Sequence, residues 1–157
     1  LIQTEDFKKA VGKFPTGVCV ITTSFNSLLW GFTANSFVSV SLAPPLVSFC
    51  LNKAAGSFDA FIGSKYFSIN ILASNQQEIA KQFSQKNSDK FTNVDYQLGA
   101  ESKTPLITGS SSFIQCKKFK EVECGDHFIF IGEVIQIACE ESKLPLLYFA
   151  KSYREMK

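Results

Sequence analysis

One run of the chain, Gly31-Phe32-Thr33-Ala34-Asn35-Ser36-Phe37, is dense in small and hydroxyl residues. Small side chains let a backbone approach a ligand, and Thr33, Asn35 and Ser36 supply donors and acceptors suited to the polar edge of a planar ring. Composition alone reads the same run equally well as an ordinary capped turn. A second group, Cys50-Leu51-Asn52-Lys53, closes an apolar stretch and is followed by Ser57 at an expected helix start. Free amides, the Ser57 hydroxyl and the Lys53 ammonium are the ingredients of a phosphate site. Every helix start has such amides, so simple capping is the competing reading.

The third group is Gly125-Asp126-His127, which holds the chain's single imidazole. His127 is either a structural residue paired with Asp126 or a group that positions a hydride donor, because hydride transfer needs no acid or base from the ring. Cys50 sits in an apolar stretch without an acid–base partner, which is the setting of a packed, inert thiol.

Several classes of chemistry are excluded. There is no GxSxG, Walker or GxGxxG spacing, and one His among scattered carboxylates builds no metal site. A net charge of +2 leaves no footprint for nucleic acid, and Lys117, Lys118 and Lys120 are balanced by Glu121 and Glu123, as at a solvated hairpin end. The five cysteines have no CxxC spacing and an odd count, so reduced thiols in a cytoplasmic protein are expected. No apolar run reaches membrane-spanning length, and no membrane association is expected. The 16 phenylalanines call for a large core, an apolar subunit interface, or both.

The elements that must position these residues are mostly extended. A first helix is expected from Thr4 as cap, with Phe7, Ala10, Val11 and Phe14 on one face until Pro15 stops it. Val18 to Thr23 and Leu28 to Phe32 read as a hairpin around Asn26-Ser27, followed by extended pieces at Phe37 to Val40 and Leu46 to Leu51. A short helix from Ser57 to Ile62 precedes a strand at Tyr66 to Leu72, and a capping box of Ser74 with Gln77 opens the clearest helix. Gln85 to Lys103 reads as a loop. Strand patterns return at Ser111 to Phe119, Asp126 to Glu140 and Leu146 to Ala150. Helices are too few to cover two faces of a parallel sheet, so one domain over 1–157 is expected: mainly β, a closed or partly closed barrel with peripheral short helices.

The whole pattern resembles the flavin reductase-like family of FMN-binding split barrels. The resemblance rests on Phe14-Pro15-Thr16-Gly17-Val18, the Gly31 to Phe37 run, Ser39-Val40-Ser41-Leu42 and Pro44-Pro45-Leu46-Val47. It continues through Asn70-Ile71-Leu72, Asp89-Lys90-Phe91, Gly125-Asp126-His127, Ile131-Gly132-Glu133-Val134 and Pro145-Leu146-Leu147-Tyr148. It implies an NAD(P)H:flavin oxidoreductase: hydride passes from NADH or NADPH to FMN, with FAD or riboflavin as further flavin substrates, and a separate flavin-dependent monooxygenase can receive the product. It also implies a homodimer with flavin near the subunit boundary. Thr33, Ala34, Asn35 and Ser36 then surround the ring, Cys50, Leu51, Asn52 and Lys53 run beside the cofactor chain, Ser57 lies near phosphate, and His127 lines the nicotinamide side.

This sequence departs from the family in Ala54-Ala55-Gly56, where hydroxyl residues are frequent. The departure weakens the expected phosphate grip. An FMN-binding electron-transfer or storage protein, and a barrel kept only for interaction, stay open as alternatives on the residues themselves.

Overall fold

The computed structural model describes residues 1–86 and 89–156. In chain order the elements are α1 (Thr4–Val11), β1 (Thr16–Gly17), β2 (Cys19–Phe25), β3 (Leu28–Ala34), β4 (Val38–Leu42), β5 (Pro45–Asn52), α2 (Phe58–Gly63) and β6 (Tyr66–Ile71). They continue with α3 (Gln77–Ser84), β7 (Tyr96–Leu98), β8 (Pro105–Ile107), β9 (Ser112–Cys124), β10 (His127–Cys139), β11 (Leu147–Phe149) and β12 (Ser152–Arg154). Among the described residues no helix is long and apolar enough to cross a membrane.

Seven strands form one sheet in the order β3-β2-β6-β9-β10-β5-β4. Its neighbours are antiparallel throughout. The two edges do not pair with each other, yet the sheet curls until its ends approach: Phe32 on edge strand β3 lies 5.8 Å, ring to ring, from Phe49 on β5, the strand next to the other edge. This is the split barrel expected from the sequence.

Aromatic rings fill the interior. Phe49 stacks on Phe130 at 5.1 Å and meets Phe67 edge-on at 5.0 Å, while Phe61 of α2 enters edge-on against Phe32 and Phe49. Such pairs add about 0.5–1.5 kcal/mol each beyond area burial. The two faces of β2 explain its apolar start: Cys19 and Ile21 join this interior, while Val20, with Val18 just before the strand, packs with Leu72, Ala80 and Phe83. Gly132 is required for space. A Cβ there would stand 2.3 Å from the Phe67 ring and 2.7 Å from Cys116 Cβ.

The helix starts differ from expectation. Thr4 is the first residue of α1 and Gln3 its cap, with no side-chain capping bond. The helix ends at Val11 with Gly12 as cap, ahead of Pro15, and buries none of its residues. The Ser74–Gln77 capping box does not form. Ala73 bridges Pro145 and the Ser74 amide bonds the Leu144 carbonyl, so the chain is pinned here and the helix starts only after Gln76. Gln76 accepts the Ala73 amide at 3.0 Å and donates to the Thr108 carbonyl at 3.0 Å. The expected loop from Gln85 to Lys103 contains β7, paired with β8; Asn87 and Ser88 of that stretch, like Lys157, lie outside the described residues.

Candidate functional site

The three segments singled out by composition meet at one end of the barrel. Val38 of β4 opposes Ser48 of β5, and two residues further along this register Ser36 faces Cys50. The Cys50 amide donates to Ser36 Oγ at 2.9 Å. On its other side β5 pairs with β10, and Asn52 stands opposite His127. The Lys53 amide prolongs the pairing by donating to the Asp126 carbonyl at 3.0 Å. Ser36, the 50–53 segment and His127 are thus tied together by hydrogen bonds and register.

Local geometry leaves specific donors free. The Asn52 side chain accepts the Ala54 amide at 2.8 Å, and its carbonyl accepts the Ala55 amide at 3.0 Å. Among the described residues neither the Gly56 nor the Ser57 amide has an acceptor. Ser57 is buried at the start of α2 without a side-chain capping bond, and a Cβ built on Gly56 would meet nothing within 4 Å. Two open amides, a hydroxyl and clear space fit an oxyanion such as a phosphate. Lys53 lies just before this cradle in the chain, but its ammonium is ion-paired with Glu123 and lies 5.8 Å from the centre of the Phe128 ring.

The imidazole end is a hairpin tip. Cys124 pairs with His127 across the two-residue turn Gly125-Asp126, and Gly125 takes φ +61°, a conformation open to glycine at little cost. His127 Nδ1 lies 2.7 Å from Asp126 Oδ1. This bond, reinforced by charge from the ring and from Lys53, holds the Asp126 carboxyl below the usual carboxylate range. It also orients the ring and leaves Nε2 without a protein partner among the described residues. At Cys50 burial pushes the thiol pKa up, Cys124 adds to the rise and the Ser36 bond opposes it. A packed thiol, not a nucleophile, is the result.

Some expected site residues point elsewhere. Thr33 Oγ1 donates to the Ala80 carbonyl of α3 at 2.6 Å, because strand alternation turns Thr33 and Gly31 outward against that helix. Ala34 and Leu51 turn inward to the aromatic core. These three residues can offer a ligand only their main chain. Glu123 and Phe128 were not among the expected site residues, although the two-residue turn at Gly125-Asp126 places them opposite each other in the hairpin. Lys90, expected only as part of a motif, has a half-buried ammonium that bonds the Gly31 carbonyl at 3.1 Å, and burial pushes its pKa down.

Comparison with known proteins follows the same lines. The flavin reductase-like domain family matches residues 11–157. A relative described as an NADH-dependent FAD reductase, from Streptomyces globisporus, is 37% identical over 151 residues, spanning 94% of this chain and 82% of that protein. The reductase subunit HsaB of a flavin-dependent monooxygenase from Mycobacterium tuberculosis is 34% identical over 154 residues, spanning 97% and 82%. The solved Streptomyces globisporus NADH:FAD oxidoreductase, in complex with NAD and FAD fragments, superposes with a TM-score of 0.94 at 36% identity, covering 100% of this chain and 96% of that one. With this match along nearly its whole length and the same split barrel, the chain belongs to the flavin reductase-like domain family.

Proposed function

We propose that the protein oxidises a reduced nicotinamide and delivers its hydride to a flavin at the face shared by Ser36, Cys50 to Lys53, Ser57 and His127. The observation that carries this reading is the β5–β10 register: it sets Asn52 against His127, so a ring held by one segment lies beside the other. A bound flavin supplies the hydride acceptor. The main chain of Thr33 to Ser36 runs along the ring's polar edge, and the Gly56 and Ser57 amides with the Ser57 hydroxyl receive the phosphate. His127, oriented by Asp126, positions the nicotinamide and excludes water from one side of it. No covalent step is required, so alignment and hydrogen bonding to the reduced ring carry the rate.

The finer assignments are part of the same proposal. NADH is the reductant we infer, as the name of the Streptomyces globisporus relative states for that protein. FMN, FAD and riboflavin are all candidate flavins. A flavin-dependent monooxygenase is the inferred recipient of reduced flavin, in keeping with the description of the HsaB relative. A homodimer is inferred because edge strand β4 exposes Val38, Val40 and Leu42, an apolar edge that a second copy would cover. A single domain and a cytoplasmic location, consistent with five free cysteines, complete the reading.

Anaerobic oxidation of NADH, followed with stoichiometric and then excess FMN, FAD and riboflavin, tests the activity. Multiple turnovers with excess flavin are expected. Tight flavin binding without nicotinamide oxidation would replace the reductase reading with that of an electron-transfer or storage protein.

A further inference from the structure

We propose that Glu123 is a specificity-determining residue that competes with the flavin phosphate for Lys53, so that flavins are held chiefly through the ring and exchange readily. This rests on the flavin site proposed above. Lys53 directly precedes the Ala54-Ala55-Gly56 segment, three and four residues before the open amides of Gly56 and Ser57. It carries the one positive charge of the 50–57 segment, yet its ammonium is already paired with the Glu123 carboxylate.

The pairing follows from the barrel. Glu123 opposes Phe128 across the β9–β10 hairpin and Phe128 opposes Leu51 on β5, so Glu123, the Phe128 ring and the end of β5 lie in one row. Lys53 extends from that end over the Phe128 ring. The Lys53 ammonium is therefore engaged before any ligand arrives. A flavin phosphate, close to a dianion at neutral pH, must take Lys53 from Glu123 and approach its carboxylate. Riboflavin carries no phosphate and meets neither cost.

The size of the effect follows from exposure. Glu123 is 62% and Lys53 37% exposed, so the pair is solvated and easily exchanged. Its presence then weakens phosphate binding by roughly two- to fivefold, without preventing it. Glu123 acts through Lys53 and touches neither ring, so the rate of hydride transfer at saturation stays the same.

The test compares FMN and riboflavin in Glu123→Gln, which keeps the shape and removes the charge. Dissociation constants from flavin fluorescence and KM values from anaerobic NADH oxidation are measured in parallel. In the unaltered protein FMN and riboflavin are expected to bind within about threefold of each other. In Glu123→Gln the FMN constants fall roughly two- to fivefold, while those for riboflavin and both kcat values stay unchanged. Lys53→Met should raise the FMN constants more than those for riboflavin. An unchanged FMN-to-riboflavin ratio in Glu123→Gln, with both flavins reduced, overturns this inference and leaves the reductase reading standing. Binding of flavins with the expected ratio change but no NADH oxidation supports the inference and removes the reductase reading. Failure of every flavin to bind removes both.

Discussion

The Cys50 amide donates to Ser36 Oγ at 2.9 Å, at the place where β4, had it begun two residues earlier, would have supplied a backbone partner. A serine hydroxyl thus continues the ladder while freeing the 35–37 segment from strand geometry. Ser36→Ala should lower stability by about 0.5–1.5 kcal/mol in denaturant unfolding, because the Cys50 amide loses its acceptor. Flavin titration of the same variant should show weaker binding. Ser36→Thr, which restores a hydroxyl, should recover most of both losses. Unchanged binding in Ser36→Ala would mean that the bond does not shape the site.

Thr33 is predicted to be a stability residue through its side chain. Its hydroxyl bonds the Ala80 carbonyl at 2.6 Å and so ties β3 to α3. Thr33→Val keeps the shape and removes that bond, with an expected cost of about 1 kcal/mol. Flavin affinity should change by less than about twofold, since a full neutral hydrogen bond to the ligand would be worth more than this. A large loss of flavin affinity at unchanged stability would show that the hydroxyl turns to the ligand instead.

His127 and the flavin-holding residues should separate kinetically. His127→Ala is expected to lower kcat/KM for NADH by about tenfold, equivalent to ~1.4 kcal/mol of lost positioning. Flavin dissociation constants should remain unchanged, because the ring faces the other side of the proposed pair of substrates. Asp126→Asn keeps a hydrogen-bonding partner for Nδ1 and should reproduce only part of the loss. Steady-state kinetics with NADH varied at saturating flavin provides the check; equal losses for both substrates would argue for a structural role.

The buried thiols predict a pH dependence of stability. Burial pushes the Cys19 and Cys116 thiols from the ordinary 9.0 up to about 12. In this window the unfolded chain releases protons that the folded chain retains. Their stabilising contribution is therefore complete below pH 9.0 and is lost as pH rises toward about 12. Each thiol contributes a slope of up to about 1.4 kcal/mol per pH unit. Urea unfolding at stepped pH above 9.0 should show this decline, and Cys19→Ala, though less stable at neutral pH, should show a shallower one. An identical slope in Cys19→Ala would assign the decline to other groups. Thiol reagents should meanwhile modify exposed Cys124 and Cys139 in the folded protein and reach Cys19 and Cys116 only on unfolding.

Legibility followed the range of the interactions. Val18 to Thr23, Leu46 to Leu51 and Tyr66 to Leu72 were readable as strands because both faces of each carry apolar or small residues over several positions. The break between the patterns that end at Phe119 and begin at Asp126 falls at the hairpin tip, where Gly125 takes a positive φ. By contrast, β1 and β12 have two and three residues and no periodicity of their own. Thr16 extends only because Tyr148, distant in the chain, lies opposite it.

The amino-acid sequence determined the mainly β architecture and where chemistry could reside, since hydroxyl runs, turn residues and apolar alternation are local properties. Only the tertiary structure decided which of those residues face one another. Thr33 turned to α3, Leu51 to the core and Lys53 to Glu123 because a side chain's direction depends on strand register and on neighbours brought from far along the chain. The register between β5 and β10 is the deciding quantity: a slip of one residue would exchange the faces of Cys50 and Leu51 and dismantle the site without changing the sequence pattern at all.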